Sequence, residues 1–536
     1  MMRKKTVLKR IAALAAAASL LLSAAGCAKG PEEASETAEG SESVNVAETN
    51  AAETVSAETE VTEAASGEAE TVSEKPSATD PAPETTAEEP APAETGKPGQ
   101  GASSMSAHVL ASPTIPQSPR HEQYDANGWT IVEKAQPGSE YRDVEEMLQA
   151  QAEEYQEISR TLPDFYASTI GEILGNAEGK NVVYSPLNVY LALSMLAEIS
   201  DGNSRAQILE LLGADSIETL RETAKSLWHS NYCDDGETTT TLANSLWLSD
   251  ELSFRESTVQ RLADDYYASV CEGRMGSSEL NQMLQDWLND NTGHMLEESA
   301  EGVKTNPDTI LALASAIYFK AAWENKFEES ATKKAEIFHA GSGERRCDYL
   351  VSDESGAALF MGAHFTAYGR PMKDGNTMWF FLPEEGMRPE ELSKDPEFLQ
   401  FLQSDPRTDF SDRIQYCTLH AEIPKFDVNS DLDLIRTLQS LGVSDVFSFT
   451  DSDFSQILTD GTDAAVTQMQ HSARVRIDEE GCEAAAFTVI MLEKAMYMEQ
   501  ERAAFILDRP FIFAIRGASG AALFTGIVNE PGETSF

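Results

Sequence analysis

Cysteine and histidine are both scarce in this chain: six cysteines and eight histidines in 536 residues, with no C-x-x-C pair and no histidines at metal-ligand spacing. That sparsity argues against a disulfide framework and a sequence-local zinc site, and no metal or other cofactor is expected. Apart from Cys27, the cysteines are Cys233, Cys271, Cys347, Cys417 and Cys482, an odd set, so at least one thiol is unpaired or pairs between molecules. G-x-S-x-G, H-E-x-x-H and G-x-x-x-x-G-K are all missing, which removes the usual signatures of a hydrolase or a phosphate-binding enzyme. Phe, Trp and Tyr are absent from Ala28 to Arg120, a stretch built of Glu, Ala, Thr, Ser and Pro. Such a segment buries too little apolar surface to offset its ordering entropy and is expected to be disordered. Basic residues are few as well, 40 Lys and Arg against 90 Asp and Glu, for a net charge of -50. Residues 28–98 hold 18 acidic residues and 3 lysines, so much of that charge belongs to the tether and disfavours a nucleic-acid partner.

The N-terminus combines Arg3, Lys4 and Lys5 with an apolar run through Leu22 and small residues up to Gly26-Cys27, the layout of a secretion signal. The apolar core is too short for a stable membrane span. Cys27 after Ala24-Ala25-Gly26 resembles a bacterial lipoprotein signal. That resemblance implies an acylated Cys27 as the mature N-terminus and an extracellular domain tethered to the cell surface. It departs from the usual pattern in having Ala24 where Leu is common, and the alternative is an ordinary signal peptide cleaved nearby. The organisation expected is a signal at 1–26, an acidic tether at 27–122, a linker at 123–154 and one large domain at 155–536.

Within the domain, apolar spacing from Leu162 to Leu174 predicts a helix. Val182-Val183-Tyr184 runs into Ser185-Pro186, where Ser can cap and Pro can take the first helical position. Asp201-Gly202-Asn203 ends that helix, and the next stops at Gly213. Thr240–Leu248, Ile310–Phe319 and Met378–Leu382 read as strands, with helical spacing at Leu284, Trp287, Leu288 and Met295 between the first two. Ala473, Val475 and Ile477 alternate with charged residues, as in a strand with one face in the core. Phe511–Ile515 and Ala521–Val528 flank a glycine-rich turn as a buried hairpin. Helices first and strands mixed among later helices indicate an α+β fold. The linker from Gly481 to Arg509 is long enough that function is its best explanation.

Four blocks, in order, resemble serpin sequence. They are Asn181-Val182-Val183-Tyr184-Ser185-Pro186; Ile317-Tyr318-Phe319-Lys320 followed by Trp323; Ile423-Pro424-Lys425-Phe426; and Asp478-Glu479-Glu480-Gly481-Cys482-Glu483-Ala484-Ala485-Ala486 with its exit at Asp508-Arg509-Pro510-Phe511. The resemblance implies three β-sheets, about eight or nine helices, and an exposed reactive-centre loop that enters the main sheet after cleavage. It also implies a hydrogen-bonded centre at Ser185, Asn188, Ser315 and His471. This family usually has Ser at the position of Asn188 and Asn at that of Ser315, so donors and acceptors are exchanged, and the two are expected to face each other. Trp323, Lys425 and Glu479 are placed where the loop begins to insert, and the hinge comprises Glu479, Gly481, Cys482, Ala484, Ala485 and Ala486.

Insertion as a strand sends alternate residues inward. With Cys482 inward, the inward set is Cys482, Ala484, Ala486, Thr488, Ile490 and Leu492, none of them charged. The outward set takes Glu483, Glu493 and the bulky Phe487. The alanine run also suits a short helix before cleavage. The implied activity is suicide inhibition of a serine protease by a monomeric domain that is not itself an enzyme. Counting from the hinge places the scissile bond at Ala495-Met496, with cleavage beside Lys494 or Tyr497 as alternatives. An elastase-like target suits Ala495, and trypsin-like or chymotrypsin-like enzymes suit the alternatives. The competing reading is a non-inhibitory serpin acting as a binding or carrier module, against which the small hinge residues count.

Overall fold

The computed structural model describes residues 108–124, 129–134, 136–159, 162–482 and 501–532. Cys27, Ala484, Ala485, Ala486, Lys494, Ala495, Met496 and Tyr497 lie outside them. In chain order the strands are β1 (Val109–Ala111), β2 (Gln123–Tyr124), β3 (Thr130–Val132), β4 (Val182–Tyr184), β5 (Cys233–Asp234), β6 (Thr239–Ser249), β7 (Ala268–Gly273), β8 (Leu311–Ala322), β9 (Lys333–Ala340), β10 (Gly343–Met361), β11 (Phe365–Pro371), β12 (Thr377–Pro383), β13 (Ile414–Pro424), β14 (Phe426–Asp433), β15 (Gln470–Ile477), β16 (Gly481–Cys482), β17 (Arg502–Ile506), β18 (Phe511–Arg516) and β19 (Ala522–Val528). Among the described residues, eight helices reach eight residues or more; the remaining α-helical segments are one or two turns long. The fold is α+β.

Three sheets organise the described strands. The eight-stranded sheet has the order β1-β7-β6-β8-β16-β15-β14, with β5 on β6. A nine-stranded sheet runs β17-β13-β10-β11-β12-β18-β19-β4, with β9 on β10, and β2 and β3 form a small third sheet. Alternation in β15 gives a buried residue at every second position from His471 to Ile477, the signature of one face in the core. The predicted hairpin is β18–β19, whose residues are almost all buried.

Local sequence explains the helix that carries the later chemistry. Among the described residues the first five helices are α1 (Val144–Ile158), α2 (Pro163–Gly175), α3 (Pro186–Ile199), α4 (Gly202–Leu212) and α5 (Ile217–His229). Ser185 caps α3, its Oγ accepting from the Asn188 N–H, and Pro186 takes the first helical position, where the missing N–H costs nothing. Every residue of α3 is buried, so its side chains fill the core on all sides. Gly213 closes α4 with φ 67, a left-handed conformation that favours glycine. Near the C-terminal end of α3, Glu198 is 1 % exposed. It accepts from Arg221 on α5, from Arg261 and from the Tyr266 hydroxyl at 2.6–3.1 Å.

Four elements fall wholly or partly outside the expected domain boundary. β1 lies in the stretch assigned to the tether and pairs with β7 at the edge of the large sheet; β2 and β3 lie in the expected linker, and α1 starts in that linker, runs across its boundary into the domain and buries Val144, Met147, Gln151 and Tyr155. Three residues of strand and a polar helix carry too little periodicity to stand out in sequence; their order comes from docking. The helix predicted around Trp287 spans Ser278–Asn291 and ends short of Met295, and the glycine after Thr292 has φ 59. None of the five cysteines in the domain forms a disulfide, and all are buried.

Replacing Glu198 by Gln removes the charge on which two guanidinium groups converge. A loss of roughly 2–4 kcal/mol is expected. Thermal unfolding monitored by circular dichroism checks it.

Candidate functional site: a strand gap with a buried gate

Beneath the large sheet, Ser185, Asn188, Ser315 and His471 form one cluster. The Ser185 N–H donates to His471 Nε2 at 3.0 Å, and the Asn188 side-chain amide donates to the Ser315 carbonyl at 3.4 Å. The Ser315 hydroxyl faces Asn188 Oδ1 in a short contact and Asn244 Oδ1 at 2.8 Å. Asn188 and Ser315 are therefore direct partners, so exchanging the two residue types preserves a donor and an acceptor at the contact. The His471 ring meets Tyr184 edge-on at 5.6 Å between centroids. Burial pushes the His471 pKa down to about 4, with Asp431 pulling weakly the other way. The ring is thus neutral at pH 7, and its acceptor role at Nε2 puts the remaining proton on Nδ1. Asn244, which anchors itself by donating to the Tyr266 carbonyl at 2.9 Å, was not singled out in the sequence. A buried Asn within an otherwise apolar stretch of strand was its available signal.

At the top of the sheet, Trp323, Lys425 and Glu479 form a second cluster. Lys425 Nζ lies 2.7 Å from Glu479 Oε2, with side chains only 7 % and 13 % exposed. Thr332 donates to the other carboxylate oxygen at 2.8 Å. Burial works to raise the Glu479 pKa, but the bonds from Lys425 and Thr332 outweigh it and hold the carboxyl below its usual range. Trp323 Nε1 donates to the Asp478 carbonyl at 2.9 Å, and its backbone N–H donates to the Glu480 carbonyl at 3.0 Å. Phe327 N–H takes the Glu479 carbonyl at 3.0 Å. Arg370, 3 % exposed, places its guanidinium 3.8 Å from the Phe327 ring centroid and 5.8 Å from that of Trp323. Neither Thr332 nor Arg370 carried a distinguishing signal in sequence, because both act through chain segments remote from the hinge.

These contacts hold the chain at the mouth of a gap. Among the described residues, β8 and β15 are joined only through β16: Gly481 pairs with Ala322, and Cys482 pairs with Ala321 on one side and Ile477 on the other. Cys482 is 3 % exposed and packs in the main core. A Cβ on Gly481 would stand 2.4 Å from the Ala321 carbonyl oxygen, so only glycine permits this approach. Farther along, a cavity of about 200 Å³ lies between the Leu311–Ala316 half of β8 and the segment leading into β15. The other end of the undescribed stretch is anchored on the second sheet, where β17 pairs parallel with β13 and the Tyr349 hydroxyl donates to the Leu507 carbonyl at 3.1 Å.

Two outcomes follow from this geometry. His471 binds its proton less tightly folded than at its ordinary value of 6.5, so unfolding takes up a proton as pH falls toward 4. Its contribution is present at neutral pH and lost on acidification. The stability advantage of the wild type over His471→Gln should shrink by roughly 2–3 kcal/mol between pH 7.5 and 4.5, read from paired denaturation series. For the gate, Lys425→Met leaves Glu479 without its cation and should cost about 3 kcal/mol, while Lys425→Met with Glu479→Gln should cost less than the two single losses combined. A double-mutant cycle on unfolding free energies measures that coupling.

Residues 161–531 match the family model described as Serpin (serine protease inhibitor). Serpin-ZX of Arabidopsis thaliana is 26% identical over 373 residues, covering 66% of this chain and 93% of that protein. Serpin A3-5 of Bos taurus is 27% identical over 389 residues, covering 69% and 88%. The native state of the thermophilic serpin tengpin superposes with a TM-score of 0.60 at 25% identity, covering 70% of this chain and 94% of that one. Human kallistatin gives 0.59 at 25% identity, covering 70% and 99%. With two strands of the main sheet joined among the described residues only through Gly481 and Cys482, and with the family model spanning most of the chain, this protein belongs to the serpin family.

Proposed function

We propose that the protein inhibits serine proteases as a suicide substrate, its loop entering the large sheet between β8 and β15 after cleavage. The observation that carries this reading is the seat of Gly481-Cys482: two residues already paired as a strand between β8 and β15, below which no other described strand joins the two. Continuing that register would set Ala484 beside Phe319 and Val475, Ala486 beside Ile317 and Ala473, and Thr488 beside Ser315 and His471. All of those neighbours except Ser315 are buried, so the uncharged set Cys482, Ala484, Ala486 and Thr488 would face the core. The Thr488 hydroxyl would then reach the hydrogen-bonded cluster at His471. New backbone hydrogen bonds on both edges and burial of the inward face supply the driving force.

The chemistry belongs to the protease. Its serine attacks the carbonyl of Ala495, the bond to Met496 breaks, Met496 leaves as the new amine, and Ala495 is held as an ester. Insertion then drags the acyl-enzyme away from the geometry that would admit water. Rate decides the outcome: insertion faster than hydrolysis traps the enzyme, and slower insertion releases it. The small Ala495 side chain favours an elastase-like target, with Lys494 and Tyr497 marking the alternative sites. Acylation of Cys27 would tether the domain to the outer face of the cell surface, and inhibition requires only a monomer.

Incubation with elastase, trypsin and chymotrypsin in turn tests the proposal. One of them should give an adduct that survives boiling in detergent, and the mass of the released peptide should begin at Met496. Ala484→Arg places a charge beside Phe319 and Val475 and should cut adduct yield about tenfold or more, the effect of ~1.4 kcal/mol on the insertion barrier. Loss of adduct with all three enzymes, together with an unchanged thermal midpoint after loop cleavage, would sink the reading.

A further inference from the structure

Away from the strand gap, three segments remote in sequence converge on one small polar site. His121 lies in the stretch after β1, Asp235 in the turn between β5 and β6, and Asp374 in the turn between β11 and β12. One ligand atom from each falls within 4.8 Å of the others. His121 Nε2 stands 2.8 Å from Asp374 Oδ1 and 4.0 Å from Asp235 Oδ2. The Asp235 and Asp374 side chains are 0% and 7% exposed, and that of His121 is 34% exposed. We propose that His121, Asp235 and Asp374 bind a divalent transition-metal ion, Zn²⁺ first among them, which ties the N-terminal segment to the folded domain.

The surrounding hydrogen bonds prepare these donors. One oxygen of each carboxylate is anchored away from His121: Asp235 Oδ1 accepts from the backbone N–H groups of Glu237 and Thr238 at 2.9 and 2.7 Å, and Asp374 Oδ2 accepts from the Thr238 hydroxyl at 2.6 Å. The second oxygens, Asp235 Oδ2 and Asp374 Oδ1, are the ones that face His121: Asp374 Oδ1 is bonded to His121 Nε2 at 2.8 Å, and Asp235 Oδ2 accepts from the Cys233 thiol, a weak donor, at 3.2 Å, contacts that an ion would replace. One anchored oxygen and one presented oxygen is the way ligating carboxylates are held in metal sites. The imidazole is positioned too. His121 N–H donates to the Asp235 carbonyl at 3.2 Å, Ser118 Oγ accepts from Asp234 N–H at 3.1 Å, and Arg120 pairs with Asp234 at 3.0 Å.

Charge favours the ion. Two little-exposed carboxylates and one imidazole carry a net charge of -2 when the ring is neutral and -1 when it is protonated. The neighbouring Lys373 is drawn toward Glu324 at 3.6 Å. A divalent cation with a neutral imidazole brings the site to zero, removing the penalty of uncompensated buried charge. Nitrogen and carboxylate donors suit Zn²⁺ and its neighbours in the first row, whose bonds of about 2.0–2.2 Å set ligand atoms roughly 3–3.5 Å apart in a tetrahedral centre. The observed separations bracket that range. No sequence spacing announces this set, because each ligand comes from a different, distant segment of the chain.

The test uses the full mature chain freed of metal with a chelator, titrated with Zn²⁺ in competition with a chromophoric chelator, and thermal unfolding with and without one equivalent. One ion should bind with a raised midpoint, and amide exchange should slow at residues 118–121 and 233–238. His121→Ala, a peripheral change that leaves the core intact, should weaken binding at least tenfold and abolish the local protection. His420→Ala, which removes a partly exposed ring on β13 that meets Asp353 and Glu422, should bind as the wild type does. Absence of binding, equal affinity in His121→Ala, or loss of the ion in His420→Ala overturns the assignment.

Discussion

The large sheet depends on a two-residue bridge. β8 and β15 each have a full partner on their outer side, β6 and β14, yet among the described residues they meet each other only through Gly481 and Cys482. Unpaired edges facing one another across a cavity form a template for another strand. The chain that continues from this bridge starts at Cys482, which is itself paired in register on both sides. Much of the surrounding structure can be understood as keeping that mouth in place.

Two kinds of polar contact do this, and burial makes both consequential. At the mouth, Glu479 is fixed by Lys425 and Thr332, and the backbone around it is taken up by Trp323 and Phe327. Were the ion pair exposed, it would contribute little. Its small exposure instead makes the pair one whose separation leaves a charge stranded. Below, His471 joins β15 to the cap of α3 through the Ser185 N–H, and Ser315 joins β8 to the same helix through Asn188. The fully buried α3 is therefore a common anchor under both strands that flank the gap. Because its cap is part of the cluster, helix position and strand position are set together.

Much of this was legible along the chain. The Ser185-Pro186 start, the stop at Gly213, the alternation of β15 and the β18–β19 hairpin all rest on local rules that the fold obeys. Less legible were β10 and β13, two long strands with many polar residues and exposed faces, whose order comes from pairing with each other over most of their length. β1 and the start of α1 fall within the expected tether and linker for a related reason: neither has a strong apolar pattern, and each is ordered by the surface it docks on. Thr332 and Arg370 complete the gate, and Asn244 completes the cluster at Ser315, but they are ordinary residue types within their own segments.

By itself the sequence determined the α+β class, the order of the principal helices and strands, and which residues of the hinge can be buried, since these depend on spacing, capping and side-chain charge over a few neighbouring positions. Only the tertiary structure decided that Lys425 and Glu479 are buried together, that Asn188 and Ser315 meet, that β8 and β15 stand apart, and that His121, Asp235 and Asp374 share one site. Burial and pairing are properties of segments brought together across long stretches of chain, and a one-dimensional pattern holds no measure of the distance between them.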